Sequence, residues 1–152
     1  MLWDVPDRRL SFAVGANPPA DLPDAWAAAA RAVTRDLQCR RHGRPISFGN
    51  VGWRFVVADE WVAVGFDSPD DANVGTYESC MGYLWKTSAA QALVWLADDV
   101  QDHLAGYEFV QWPIAGQHML RAELVDDDAV WLDTGTNAVV ARIGELCAAT
   151  DQ

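Results

Sequence analysis

"WRFVVADEWVAVGF", residues 53–66, is the stretch on which the fold turns. Two runs rich in β-branched and aromatic residues flank Asp59 and Glu60, a pair suited to a tight turn, so the segment reads as a β-hairpin. Working outward, "RRLSFAVG" (8–15) alternates well enough for a first strand, and "ANPPADLPD" breaks it with three prolines. The next run places Leu22, Trp26, Ala29, Ala30, Val33 and Leu37 at helical spacing, with Asp21 as the expected N-cap and Asp24 in the first turn. Beyond the hairpin, "DSPDDANVG" is a loop by composition. Ser88 and Gln91 form a capping-box pair ahead of a second helix to about His103, with Gly106 as its C′ residue. Its expected buried face is Ala89, Leu93, Leu96, Val100 and Leu104.

Then come "YEFVQWP", "HMLRAELV" and "AVWLD", three strand candidates, with "VDDDA" as an acidic turn. "NAVVARIGELC" fits a strand followed by a turn, or a helix. Two helices against five or six short strands predict an α+β fold, the helices packed on a mainly antiparallel sheet. A parallel βαβ fold would need more helices. Residues 1–152 carry no repeat, low-complexity tract or linker and read as one domain.

Charge is unevenly distributed. Residues 1–54 hold eight of the eleven basic residues and five acidic ones, whereas 55–152 hold three basic and seventeen acidic. The net charge of -11 favours a basic protein partner over nucleic acid or an anionic membrane. "MLWDVPDRRL" lacks the apolar run of a secretory leader, and a cytoplasmic protein is expected. The three cysteines, Cys39, Cys80 and Cys147, are odd in number and widely spaced, which predicts reduced thiols.

Chemical motifs are sparse. "WLDTGTNAVV" (131–140) resembles the aspartic-protease signature with Asp133 in the acid position, but that chemistry shares a proton between two such aspartates and no second Asp-Thr-Gly or Asp-Ser-Gly is present. Cys39 and His42 have metal-ligand spacing without a second ligand pair, so no metal and no cofactor are expected. Asp67, Asp70, Asp71 and Asn73 lack the alternation and closing glutamate of a calcium loop. No nucleophile elbow, phosphate loop or dinucleotide fingerprint occurs. "QCRRHGRP" (38–45) reads as a helix stop, with Gly43 at C′ and Pro45 blocking continuation. Beside Arg31 and Arg35, Cys39 is the candidate reactive thiol.

The second helix offers a surface. At 100° per residue Trp95 falls on the polar face with Gln91, Asp98 and Asp102, and Asp98 and Asp102 are a like-charge pair four apart. Trp95, Asp98, Asp99 and Asp102 are therefore candidate partner-binding residues, with Asp126, Asp127 and Asp128 as a second acidic patch. The composition matches that of immunity proteins, antitoxins and some secretion chaperones, and points to a non-enzymatic interaction module. Two alternatives are a small-ligand binder or enzyme with a pocket lined by Trp53, Trp61 and Trp85, and a structural subunit of a larger assembly.

Residues 112–146, with Trp112, Pro113, His118, Trp131 and Ile143 to Leu146, resemble the C-terminal block of a group of small uncharacterised actinobacterial proteins. Ala115 and Asp133 stand where that pattern has cysteines. The resemblance implies a structural role for Asp133, no metal role, and no activity.

Overall fold

The computed structural model describes residues 8–69, 73–80 and 82–149. The N-terminal arm, and Asp70 and Asp71 of the candidate calcium loop, lie outside the described residues. The hairpin is present as read: β3 (Gly52–Ala58) and β4 (Trp61–Asp67) pair antiparallel across Asp59 and Glu60, with Asp59 in the left-handed region at φ 57°. β4 does not alternate, because Val62 through Phe66 are all buried and both its faces are covered.

β1 (Arg8–Ala13) pairs with β3, while β5 (Tyr77–Glu78) and β6 (Tyr83–Leu84) both pair with β4, completing a five-stranded sheet. A second sheet runs β11 (Val139–Arg142), β10 (Asp128–Asp133), β9 (His118–Val125), β8 (Ile114–Ala115). β2 (His42–Gly43) and β7 (Val110–Gln111) form a two-stranded third. Every pairing is antiparallel. The α+β class holds; the strands divide among three sheets rather than forming one, because pairs of two residues carry too little pattern to be read in advance.

α1 (Asp24–Asp36) packs along α2 (Ala89–Tyr107), and α2 rests on β9 and β10. Trp26 of α1 is sealed in the core, its ring edge-on to Phe55 of β3 at 6.0 Å. Its indole N–H points to the carbonyls of Leu84 and Trp85, both 3.2 Å away. Pro23, not Asp21, occupies the N-cap of α1, and no side chain caps that end. Ser88 caps α2 as expected, accepting the Gln91 N–H at 3.1 Å. α2 outruns its expected end, because His103 and Leu104 are buried and Gly106 lies inside its final turn.

In the last segment the strand alternative holds: β11 is followed by a turn and a short 3-10 helix, Leu146–Ala148. The expected acidic turn also forms. Asp126 and Asp127 link β9 to β10 with φ of 50° and 66°, the left-handed pair that suits a two-residue hairpin loop. Among the described residues no helix is long and apolar enough to cross a membrane.

Candidate functional site

The outer flank of α2 is built over by the two shortest strands of the large sheet. Gly65 of β4 makes this possible: a Cβ there would lie 1.9 Å from the Tyr77 carbonyl, so only glycine lets β5 approach. β5, seated there, and β6, paired with β4 at Trp61 and Val62, bring the Tyr77 and Tyr83 hydroxyls to Asp99, donating to Oδ1 at 2.8 Å and Oδ2 at 2.7 Å. Burial pushes Asp99 above the usual carboxylate range, and the tyrosine hydrogen bonds partly offset it. Burial, and then the adjoining carboxylate, push both phenols upward, so they act as donors only.

Trp95 does not stand free on this flank. It is half-buried, stacked on Trp26 at 6.3 Å and on Tyr83 at 5.3 Å. The expected exposed anchor is therefore a packing residue, covered by a two-residue strand that no periodicity announces. Asp98 and Asp102 are exposed as expected, and burial followed by repulsion from Asp102 pushes the Asp98 carboxyl up.

At the C-terminal end of α2 a cleft of about 540 Å³ opens between the helix and the 75–80 segment. Tyr77, Cys80, Asp102, His103 and Tyr107 line it. His103 stacks face to face on Tyr77 at 3.8 Å and lies 5.7 Å from the Tyr107 ring, so three rings form a layered wall. Its Nε2 lies 3.1 Å from Glu108 Oε2. Burial lowers the His103 pKa against the pull of Glu108, so the ring is neutral near pH 7.

Glu108 fixes the corner that follows. It is buried, ion-paired with Arg44, and accepts the Gly75 N–H at 2.8 Å, while Arg44 Nε donates to its carbonyl at 2.8 Å. On either side of it Tyr107 and Phe109 turn outward, 76% and 77% exposed, the largest exposures among the large apolar side chains described. Phe109 has φ 58°, a left-handed conformation that costs an unbranched residue on the order of 1 kcal/mol. β2 pairs with β7 beneath this corner, and a Cβ on Gly43 would meet the Phe109 carbonyl at 2.4 Å. Gly43 thus serves a close strand approach and not a helix C′ position; α1 is already capped at Leu37.

Cys39 is corrected. It is half-buried and bonded to Cys147 in a disulfide spanning 108 residues, with Cα atoms 5.6 Å apart, so neither is a free thiol. Cys80 is the free, exposed one. Spacing gave no warning, because the pairing depends on where residues 143–149 dock. They dock on Asp36, a group that sequence reading missed. Its buried carboxylate accepts the Trp131 indole N–H at 2.8 Å, the Gly144 N–H at 2.6 Å and the Leu146 N–H at 3.1 Å. Burial raises its pKa, with these donors and Arg35 acting in the opposite direction. The available signal was an aspartate at the last position of α1, a site where helix polarity disfavours negative charge.

The remaining candidates separate. Asp126, Asp127 and Asp128 are exposed at the β9–β10 turn, outside the cleft, and Asp128 meets Arg142 at 3.5 Å. Asp133 accepts the Gly135 N–H at 2.7 Å and the Thr136 N–H at 3.3 Å, an Asx-turn that shapes the 133–138 loop. Trp53 is sealed in the core with its indole on Thr34, Trp61 is 41% exposed at the opposite end of the same hairpin, and Trp85 is half-buried under Arg8. Among the described residues, none of five cavities has more than one of the three in its lining. Among the described residues no group of three His, Cys, Asp or Glu side chains could hold a metal ion.

The chain is thus an α+β protein whose distinctive surface is an acidic cleft beside two outward aromatic rings. No protein-family model, no curated protein and no solved structure matches it.

Proposed function

We propose that the chain is a non-enzymatic interaction module for a basic protein partner, with the end of α2 as its recognition surface. The observation that carries this reading is the pair Tyr107 and Phe109, held outward on a braced, strained corner beside the cleft that Asp102 lines, with the exposed Asp98 one turn further back along α2. Rigid, solvent-facing aromatics next to uncompensated charge suit an interface whose centre is apolar and whose rim is electrostatic. The binding role expected of Trp95 passes to these two rings, and Trp95 supports the face from behind. Asp126 and Asp127 form a separate acidic patch. A setting inside the cytoplasm, as in immunity or antitoxin-like binding, belongs to the same proposal and rests on composition.

The test is capture of a partner from the native host at low and at high salt, with wild type, the pair Tyr107→Ala/Phe109→Ala, and the pair Asp98→Asn/Asp102→Asn. Capture should weaken in salt and with either pair while the melting temperature stays within a few degrees. Capture that is indifferent to salt and to both pairs would reject the surface.

A second reading, small-ligand binding, is favoured by the cleft itself, which places Cys80 and His103 near carboxylates. It predicts that alkylating Cys80 blocks ligand binding, whereas the first reading predicts no effect of alkylation on the protein partner.

A further inference from the structure

We propose that the Cys39–Cys147 bond is a thiol-responsive latch on the C-terminal segment, opened by small dithiols and closed again by exchange with small disulfides, which are reduced to thiols as the bond re-forms. Cys39 lies just beyond α1, and Cys147 sits in the terminal 3-10 helix. The bond is reachable: Cys147 is exposed, Cys39 is half-buried, and both line one open cavity of about 690 Å³ together with Arg40 and Leu146. Attack falls on the more accessible sulfur. A dithiol thiolate bonds to Cys147 Sγ, the S–S bond breaks, and Cys39 leaves as a thiolate that takes up a proton. Arg40, on the same cavity wall, places positive charge near that leaving group. The second thiol of the reductant then closes its own disulfide and frees Cys147. Two electrons pass from the dithiol to the protein, and one disulfide becomes two thiols.

The effect of reduction is local because the segment has a second set of holds. Gly144 and Leu146 donate to the Asp36 carboxylate, Arg35 Nε donates to the Gly144 carbonyl at 3.1 Å, and the Leu146 side chain is fully buried. Upstream, the Ile143 N–H is tied to the Ala129 carbonyl at 3.0 Å and anchors the start of the segment to β10. With the covalent tie gone, residues 144–149 open more often from that point and transiently uncover the seat of Leu146, while the large sheet, which they do not enter, keeps its pairing. A covalent tie backed by a few polar contacts on a short terminal segment is what a reversible device requires: strong when oxidised, poised when reduced.

Amide hydrogen exchange followed residue by residue tests this, in a Cys80→Ser background so that only the paired sulfurs respond. Dithiothreitol-reduced protein should exchange the Gly144 and Leu146 amides faster than oxidised protein, by about tenfold or more, with Val56 and Val64 of the β3–β4 hairpin unchanged. The double variant Cys39→Ser/Cys147→Ser should match the reduced form, and reoxidation should restore slow exchange in the parent. Unchanged rates at Gly144 and Leu146 would overturn the latch. So would equal acceleration at Val56 and Val64, which would make the bond a staple of the whole fold. Peptide mapping of protein alkylated at lysis, without reductant, must recover a joined Cys39–Cys147 peptide; two free thiols there would also overturn it.

Discussion

Asp36→Ala probes the part of the structure that sequence reading did not anticipate. The substitution removes the common acceptor of three donors. Two of them, the Trp131 indole and the Leu146 amide, are in buried hydrogen bonds, and the third, from Gly144, is part-buried. A buried donor left without a partner costs about 1–3 kcal/mol. Release of a carboxylate that burial already disfavours returns part of this, since desolvation is the leading influence on Asp36. A net loss of about 4 kcal/mol is therefore expected, in line with breaking other buried charged networks. For a chain of this length that is a fall in melting temperature of about 8–16 °C. Asp36→Asn retains one oxygen, enough for the Trp131 and Gly144 donors that share Oδ2, but turns an amide group toward the Leu146 N–H. It should cost about half as much. The Trp112 indole bonds the backbone carbonyl of residue 36 at 2.9 Å and survives both changes. Thermal unfolding followed by circular dichroism, with urea titration for the free energies, gives both numbers. If the alanine variant stays within about 1 kcal/mol of the parent, Asp36 is not the hub described.

Trp95→Ala should destabilise the fold by about 2–3 kcal/mol, below the full cost for a sealed tryptophan because the ring is half-buried, whereas Tyr107→Ala should stay within about 0.5 kcal/mol in the same urea titration. Gly65→Ala should cost about 3 kcal/mol and detach β5, read as loss of slow exchange at the β4–β5 amides. Asp98→Asn should raise stability at pH 7 by a few tenths of a kcal/mol by relieving repulsion from Asp102, yet weaken partner capture. Titration should show two opposed trends. Asp36, Asp98 and Asp99 are raised in the folded state, so between the unfolded carboxylate value near 4 and their higher folded values the fold binds the extra proton. Their contribution is full below about 4 and is lost as pH rises through the folded values. His103 is lowered, so its contribution is present above its ordinary value of about 6.5 and is lost as pH falls toward its folded value. Melting curves from pH 4 to 8 for wild type and Asp98→Asn separate these, and a decline with pH that is equally steep in the variant would discount Asp98.

Legibility in the sequence followed contact range. The β3–β4 hairpin, the Asp126–Asp127 turn and the Ser88 cap each depend on residues within a few positions, and their signals are local. α1 was visible because Trp26, Ala29, Ala30, Val33 and Leu37 repeat on one face. β5, β6 and β7 have two residues each, so no period can show; they exist because β4 or β2 offers an edge, which Gly65 opens to β5 and Gly43 to β7. Those three pairings decide the candidate site: they cover Trp95, bring two phenols to Asp99 and turn Phe109 outward. The acidic character of α2 was readable, since charge on a helix surface follows from spacing alone. Which aromatic ring would accompany it was not, because exposure is settled by neighbours distant in sequence. The same limit hid the disulfide and Asp36, whose partners lie about a hundred positions downstream.

The span enclosed by Cys39 and Cys147 contains all of the large sheet except β1, together with the whole of α2 and the second sheet. In the oxidised protein, cleavage of any single peptide bond in that span produces no separate fragments. Both pieces stay on one covalent unit and migrate together on a non-reducing gel, parting only after reduction. An exposed turn such as Asp126–Asp127 could accept a nick, or an inserted segment bearing a cleavage site, without dispersing the molecule.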